Sequence, residues 1–304
     1  MPKRQTINRE DCDRPVVAIF LVRYGETGLK GPPVRRRFEQ VLSENIVRAH
    51  ALAKVSCLVE RERGRLFVTS SDTGASSIIL SRTFGVVSHS LADECSSDPE
   101  AISKLAVSKL SGRMARGASF AVRARRSGIH TYNSMQLAAL IGERILEAFS
   151  DRDIHVDLQK PDIEIFAEVR NNKAYVFEGA VPGPGGLPLR TQGKVLAVID
   201  DEKSLLAAWL IMRRGSSTVL LNGSGLDEGV LERLKPWNPW WSGILKGISA
   251  ADALKLKRCS GLVLGWDLEE FLSGTKPELD VPVFYPLIGL TKGEIEARMK
   301  AIFG

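Results

Sequence analysis

Apolar positions along the chain follow two different periods, and the alternation of these periods predicts an α/β protein. Over residues 34–52, apolar residues such as Phe38, Leu42 and Ile46 recur at helical spacing. Short apolar runs such as 16–23 predict strands. In the first part of the chain we predict strands at 16–23, 55–60, 65–69, 86–90, 118–124, 162–169 and 173–178. The last two are joined by a hairpin turn at Asn171-Asn172. We predict helices at 34–52, 73–82, 99–111 and 135–149, the last capped by Ser134.

A run of proline and glycine from Pro182 to Pro188 separates this part from a second pattern. Behind it, strands and helices alternate, which is typical of a parallel, doubly wound sheet. We predict domains at 1–75, 76–182 and 183–304. The predicted elements of the last domain are at 195–199, 203–213, 217–222, 226–234, 261–265 and 291–302, the final helix starting with a capping box from Thr291 to Glu294.

Composition narrows the class of protein. Apolar residues make up 44% and charged residues 26% of the 304 residues, as in ordinary globular proteins. No apolar stretch is long enough for a membrane span. The four cysteines, Cys12, Cys57, Cys95 and Cys259, show neither zinc spacing nor a disulfide framework. We therefore expect a cytoplasmic protein without a metal site or a membrane partner.

Positive charge is concentrated in the middle of the chain, where residues 101–150 hold 8 Lys and Arg against 2 Asp and Glu. This excess is typical of a nucleic-acid interface, although a solvated basic surface explains the charge equally well. Arginine forks bind phosphate oxygens in pairs. The candidates for RNA contact here are Arg123, Arg125, Arg126, His130 and Asn133.

A second basic group lies where a turn leads into the first helix. Three arginines in a first helical turn oppose the helix dipole unless an anion compensates them. We predict RNA phosphate contacts here, with a surface of salt bridges to Glu26 and Glu39 as the alternative. The candidates are Tyr24, Lys30, Arg35, Arg36 and Arg37.

The turn from Asp200 to Ser204 stands between a buried strand and a helix, the position of a phosphate-binding loop. Three carboxylates and no glycine occupy it. These carboxylates would repel a polyphosphate, and we interpret them as N-cap and first-turn helix residues rather than as metal ligands.

Three tryptophans, Trp237, Trp240 and Trp241, are interrupted only by Asn238 and Pro239. Such a cluster stacks bases, anchors an interface or fills a core. The neutral local charge favours packing or an interface.

Seven groups of motifs resemble the tRNA 4-thiouridine synthetase family, which is also linked to thiamine thiazole biosynthesis. Their order and spacing cover most of the chain. They include Val22-Arg23-Tyr24-Gly25-Glu26, Gly64-Arg65-Leu66-Phe67-Val68, Phe84-Gly85-Val86-Val87-Ser88, Phe120 to Ser127, Glu168-Val169, Gly183 to Pro188 and Pro286 to Lys292.

The resemblance implies an N-terminal ferredoxin-like domain, a THUMP RNA-binding domain and a small Rossmann-like ATP-pyrophosphatase domain. In the family, the first two hold the acceptor arm and 3′ end of tRNA. The third uses ATP and Mg to adenylate a uridine, which then receives sulfur. By resemblance, the nucleotide contacts here would be Gly185, Gly186, Ser204 and Lys292, with Lys292 matching a lysine important for catalysis.

This chain departs from the family pattern in its chemistry. The family's Ser-Gly-Gly-x-Asp-Ser loop is replaced by Asp200 to Ser204, and the family's paired cysteines are missing. We therefore expect a tRNA-docking protein whose missing chemistry is supplied by another protein, with a sulfur-donor protein or a complete paralogue as its partner. The alternatives are an active ATP-dependent tRNA sulfurtransferase with an external sulfur carrier, or a role in thiazole sulfur transfer alone. A homodimer through the third domain is compatible with either.

Overall fold

The computed structural model describes residues 18–62 and 64–304. Cys12 and the first two residues of the predicted strand 16–23 lie outside the described residues. Within the described part, the front of the chain forms one mixed sheet in the order β2-β3-β1-β4-β8-β7-β5-β6, with β9 paired to β4. Its strands are β1 Ala18–Tyr24, β2 Cys57–Glu62, β3 Arg65–Ser70, β4 Val86–Ser96, β5 Ser119–Ser127, β6 His155–Val156, β7 Ile163–Arg170, β8 Lys173–Glu178 and β9 Val181–Pro182.

Strand β4 is shared by the two halves of this sheet. Its first half pairs antiparallel with β1, as in Leu21 opposite Ser90. Its second half pairs antiparallel with β8, as in Glu94 opposite Tyr175. The strand predicted at 86–90 therefore continues to residue 96 and joins two α/β units into one sheet.

Helices cover one face of the front sheet. They are α1 Pro32–Leu52, α2 Thr73–Ser81, α3 Pro99–Leu110 and α4 Ser134–Ala148. On the other face, Leu21, Phe67, Ala92, Tyr175 and Phe177 are buried in a cluster that contains strand residues alone. We call this second face the open face, because the described helices contribute no residue to its buried cluster. Side chains alternate between the two faces along each strand, so β1, β3, β5 and β7 each contribute every second residue to it.

The cap of α4 differs from the prediction. Asn133, not Ser134, is the N-cap, and its side chain accepts from the Gln136 N–H at 2.8 Å. The Gln136 side chain accepts from the Asn133 N–H at 2.8 Å. This reciprocal capping box requires glutamine or glutamate three residues after the cap, which only Asn133 has. Elsewhere, the hairpin at Asn171 and the box at Thr291 are confirmed.

The rear of the chain forms a parallel sheet, as predicted. Its strand order is β12-β11-β10-β13-β14. Two helices, α7 at Ala250–Lys257 and α8 at Leu268–Ser273, lie within 235–290, where the apolar pattern predicted no helix. The strands are β10 Lys194–Ile199, β11 Ser217–Asn222, β12 Ile244–Leu245, β13 Leu262–Val263 and β14 Val283–Phe284, and the helices are α5 Lys203–Arg213, α6 Glu228–Glu232, α7 Ala250–Lys257, α8 Leu268–Ser273 and α9 Lys292–Phe303. In the described residues, no helix has the length and apolar character that crossing a membrane requires.

The tryptophan cluster joins the front sheet to the rear one. Trp240 Nε1 donates to Asn45 Oδ1 of α1 at 2.7 Å. The Arg48 and Arg190 guanidinium groups lie 4.4 and 4.0 Å from the centre of the Trp240 ring. Trp237 packs against Phe84 and Trp209. The tryptophans therefore pack within the chain, one of the two roles favoured by the local charge.

His89 makes the stability of the front sheet depend on pH. It is buried between β1 and α2, with Nε2 at 2.9 Å from Ser77 Oγ, and burial lowers its pKa from 6.5 to about 4. Because the unfolded chain binds the proton first as pH falls, stability is complete above pH 6.5 and decreases towards pH 4. We expect a loss of about 2 kcal/mol between pH 7 and about pH 5 in urea unfolding.

The His89→Gln variant is expected to remove most of this pH dependence, since glutamine retains a polar partner for Ser77. Some dependence remains because burial also lowers the pKa of His50. The matched control is His155→Gln, at an exposed position. Equal pH dependence in wild type and His89→Gln would contradict the assignment to His89.

Candidate functional site

The arginines of β5 reach the end of the open face. Arg123 lies opposite Phe166 and Arg125 opposite Glu168 in the parallel register with β7. Arg123 Nε donates to Glu164 Oε1 at 2.9 Å, and its Nη2 donates to the Leu158 carbonyl at 2.8 Å. Arg125 is exposed. Arg123 is therefore held in place, while Arg125 projects from the sheet.

Glu168 is a buried carboxylate surrounded by arginines from both halves of the front sheet. Arg65 Nη2 donates to its Oε2 at 3.1 Å, and Arg170 Nε donates to its Oε1 at 2.7 Å. Burial raises the pKa of Glu168, but the Arg65 and Arg170 charges outweigh it and lower the pKa below its usual value. The carboxylate thus stays ionised and fixes two guanidinium groups.

Arg23 extends this group along β1. Burial and the charge of Arg65, with a further effect of Arg125, lower its pKa. Its guanidinium lies 5.0 Å from the centre of the Phe177 ring, which stacks on Phe166 at 5.3 Å. Arginines from the first and second α/β units therefore meet over an aromatic floor. Arg23 and Arg65 were not among the predicted RNA contacts, because their strands are distant in the sequence from β5.

The end of β5 and the loop after it carry the remaining predicted contacts. Arg126 is exposed and donates from Nη1 to the Gly128 carbonyl at 3.1 Å. His130 Nε2 lies 2.7 Å from the Asn171 carbonyl. Asn133 is occupied by the cap of α4 but is exposed. Ile129 in the loop is fully exposed, and Met135 in the first turn of α4 is 81% exposed, so this region also offers apolar contact surface.

The group at the start of α1 divides into paired and exposed side chains. Tyr24 Oη donates to Glu39, and Arg35 Nε lies 3.9 Å from Glu39 Oε1. Burial and the bond to Glu39 raise the pKa of Tyr24 to about 12, so the phenol remains a neutral donor. Lys30, Arg36 and Arg37 are exposed. Their contact with RNA stays a prediction.

The acidic turn after β10 binds its own donors. The Ser204 N–H and hydroxyl donate to Asp201 Oδ1 at 2.9 and 2.6 Å. Burial, and then the Asp201 charge, raise the pKa of Asp200. The end of β13 closes on the turn, because a side chain at Gly265 would lie 2.3 Å from Ser204 Oγ. The two donors of Ser204 are therefore engaged within the turn.

The lysines beside this turn are paired with carboxylates. Lys203 Nζ donates to Glu270 at 2.6 Å and to Asp267 at 3.2 Å. Burial lowers the pKa of Lys203, but these two bonds outweigh it and raise the pKa. Lys292 Nζ donates to Glu269 at 2.9 Å, which raises its pKa as well.

These ion pairs line a cavity of about 670 Å³ between α5, α8 and α9. Five carboxylates and two lysines face it, so its charge is negative. A triphosphate requires unpaired cations and free N–H donors. Both lysines that line this cavity are paired with carboxylates, so its lining offers phosphates no unpaired cation. In residues 18–62 and 64–304, no group of three or more His, Cys, Asp or Glu is arranged to hold a metal.

Gly185 and Gly186 connect the two sheets. The Gly185 N–H donates to the Val86 carbonyl and the Gly185 carbonyl accepts from the Gly85 N–H, both at 2.8 Å. Gly186 has φ +73°, and a side chain there would lie 2.1 Å from the Arg213 carbonyl oxygen. Neither glycine borders the cavity beside Lys203. Their contact with nucleotide stays a prediction, as does that of Ser204 and Lys292.

Comparison with known families finds two domains in the front of the chain. Residues 19–90 match the ThiI ferredoxin-like domain, and residues 96–177 match the THUMP domain. A probable tRNA sulfurtransferase of Methanothermobacter thermautotrophicus is 36% identical over 335 aligned positions, which cover 93% of this chain and 84% of the relative. One from Methanosarcina acetivorans is 31% identical, with 91% and 79% covered.

Two solved structures share the fold. PH1313 from Pyrococcus horikoshii has a TM-score of 0.81 and 29% identity, covering 94% of this chain and 99% of its own. A 4-thiouridine synthetase, solved in complex with RNA and bound ATP, has a TM-score of 0.76 and 22% identity, covering 94% and 85%. Both similarities extend across the front and rear sheets.

Proposed function

Because the chain belongs to the tRNA sulfurtransferase family, we propose that it binds the acceptor arm and 3′ end of tRNA with its front sheet and leaves adenylation of the RNA to another protein. The observation that carries the first half is the exposed guanidinium of Arg125, which lies at the basic end of the open face opposite Glu168, the residue that holds Arg65. The observation that carries the second half is the pairing of Lys203 and Lys292 with carboxylates.

RNA binding is supported by the chemistry of the open face and the loop beside it. Arginine side chains over aromatic rings bind phosphates and unstacked bases together. The exposed Arg125 and Arg126 at the end of β5 provide the phosphate contacts. The similarly folded 4-thiouridine synthetase was solved with RNA, and we propose that this chain also binds RNA, through its front sheet.

The absence of adenylation is supported by electrostatics. Carboxylates line the cavity beside α5 and repel phosphate oxygens, and the Ser204 donors are engaged by Asp201. The alignment with the Methanothermobacter relative spans 335 positions, more than the 304 residues of this chain, so that relative contains segments that this chain lacks.

Sulfur is proposed to come from a donor protein or a complete paralogue. Burial raises the pKa of Cys57 and Cys259, and burial together with Glu94 raises that of Cys95 to about 11. Thiols with raised pKa values carry little thiolate and are poor sulfur carriers. Cys12 lies outside the described residues. A homodimer and a cytoplasmic location stay predictions.

The test separates binding from chemistry. We expect wild-type protein to bind an intact tRNA with strong salt dependence, to bind a tRNA trimmed of its 3′ end more weakly, and to show no tRNA-stimulated ATP–pyrophosphate exchange. Affinity is measured by filter binding at several salt concentrations, where the slope counts the phosphates contacted.

The 4-thiouridine synthetase that was solved with RNA and bound ATP serves as the positive control for exchange. Exchange by this chain at a rate comparable to that control would favour an active ATP-dependent sulfurtransferase with an external sulfur carrier. Equal affinity for intact and trimmed tRNA would remove the 3′ end from the proposal.

A further inference from the structure

An apolar groove lies on the helix-covered side of the molecule, away from the open face. Its floor is formed by the end of α1 and by α2, and its wall by the segment that carries the tryptophans. We call it the α1–α2 groove. It encloses about 670 Å³ and is defined by Ala49, Leu52, Ala75, Ile78, Pro236 and Pro239.

The floor of the α1–α2 groove is apolar yet exposed to solvent. Leu52 is 62% and Ile78 is 54% exposed, although both are large aliphatic residues. Ala49 and Ala75 are small, so the space between the helices is deep enough to receive a side chain. A continuous apolar surface with a polar rim marks a binding site rather than a scatter of single exposed residues.

The wall of the groove is fixed before any partner binds. Arg48 Nε donates to the Pro239 carbonyl at 2.7 Å, and Trp240 is held by Asn45. Trp241 packs against the core of the rear sheet. A pre-formed site loses little conformational entropy when it is filled. The wall of the groove therefore needs no partner to hold its shape.

The rim of the groove selects the charge of the occupant. Three cations, Arg48, Arg82 and Lys235, face it together with one carboxylate, Glu232, which lies 3.6 Å from Lys235. The positive excess attracts acidic groups, while the aliphatic floor receives apolar side chains. Two helices side by side form the kind of groove that accepts a third helix through residues at i and i+3 or i+4.

We propose that the α1–α2 groove docks an amphipathic helix of a partner protein, with an apolar face flanked by aspartate or glutamate. The floor is aliphatic, and the aromatic side chain in the lining, Trp241, packs against the core of the rear sheet, so the groove favours a protein helix over stacked RNA bases. This inference uses none of the residues assigned to tRNA binding. It therefore stands or falls separately from the proposed function.

The probe is a display library of random 16-residue peptides, selected on the full-length wild-type protein. We expect enriched peptides to carry apolar residues at helical spacing with acidic neighbours. Binding of the synthesised peptides, measured by fluorescence anisotropy, is expected to weaken about tenfold with Ile78→Asp and about fivefold with Arg82→Glu. The matched control Leu146→Asp changes an exposed residue of α4 and is expected to leave binding unchanged.

Ile78→Asp is checked by thermal unfolding, and tRNA binding is measured in parallel. Three results would overturn the proposal. The first is that the selected peptides bind Ile78→Asp as tightly as wild type. The second is weaker tRNA binding by Ile78→Asp, which would make RNA the occupant. The third is that Ile78→Asp abolishes a dimer seen in sedimentation of the wild type, which would make a second copy the occupant.

Discussion

Replacing Arg123, Arg125 and Arg126 together with alanine is expected to weaken tRNA binding about a hundredfold at moderate salt. Each guanidinium that contacts a phosphate contributes about 1 kcal/mol net, and a tenfold loss corresponds to about 1.4 kcal/mol. The slope of log affinity against log salt should fall by about one for each contact removed, by up to about three in total. Filter binding over a salt series measures both quantities.

The matched control removes equal charge from the same domain at other positions. Arg113 and Arg144 pair with carboxylates on the surface, Arg113 with Glu178 and Arg144 with Glu100 and Glu147, and Arg116 is exposed. If position matters, alanine at Arg113, Arg116 and Arg144 should weaken binding far less. Equal losses from both triple variants would mean that net charge alone attracts the RNA and that the end of β5 is not its contact site.

Glu168→Ala is expected to destabilise the front sheet by about 3 kcal/mol. The carboxylate is buried and holds Arg65 and Arg170, whose side chains are 18% and 13% exposed. Removing the central charge of a buried ionic network leaves desolvated positive charges close together. Urea unfolding at pH 7 measures the loss, and a Glu168→Gln variant, which keeps the volume and one acceptor, is expected to lose less.

Glu164 provides the comparison on the same strand and the same face. Its ion pair with Arg123 is about two-fifths exposed on both sides. Exposed ion pairs contribute little to stability, so Glu164→Ala should change the free energy of unfolding by about 0.5 kcal/mol or less. Similar losses for Glu164→Ala and Glu168→Ala would show that burial of the arginine network contributes nothing to stability.

Most elements could be predicted because each has a clean apolar period and a strong end signal. Helix α7 was missed because only Ala253 and Leu254 of its eight residues are buried, and α8 because none of its six residues is. The extent of β4 was underestimated for a different reason. Its second half is rich in polar residues, Asp93, Glu94 and Ser96 among them, and only pairing with β8 makes it a strand.

The candidate site was predicted in part. Arginines close together in β5 were visible as a local motif, whereas Arg65 and Glu168 are 103 positions apart and meet only through the register of the sheet. The acidic turn was read from its composition alone. The carboxylates that bind Lys203 and Lys292 come from α8, a helix the sequence did not reveal, so the pairing of these lysines could not be foreseen.

The shared strand β4 has a consequence for how the two front units can be inherited. The matches to the ferredoxin-like and THUMP domains end at residue 90 and begin at residue 96, and both positions lie inside β4. A gene rearrangement that exchanged either unit at these points would sever the strand and expose unpaired amides prone to aggregation. We therefore expect residues 18–182 to fold as one unit, since a cut inside β4 would take a strand partner from β1 or from β8.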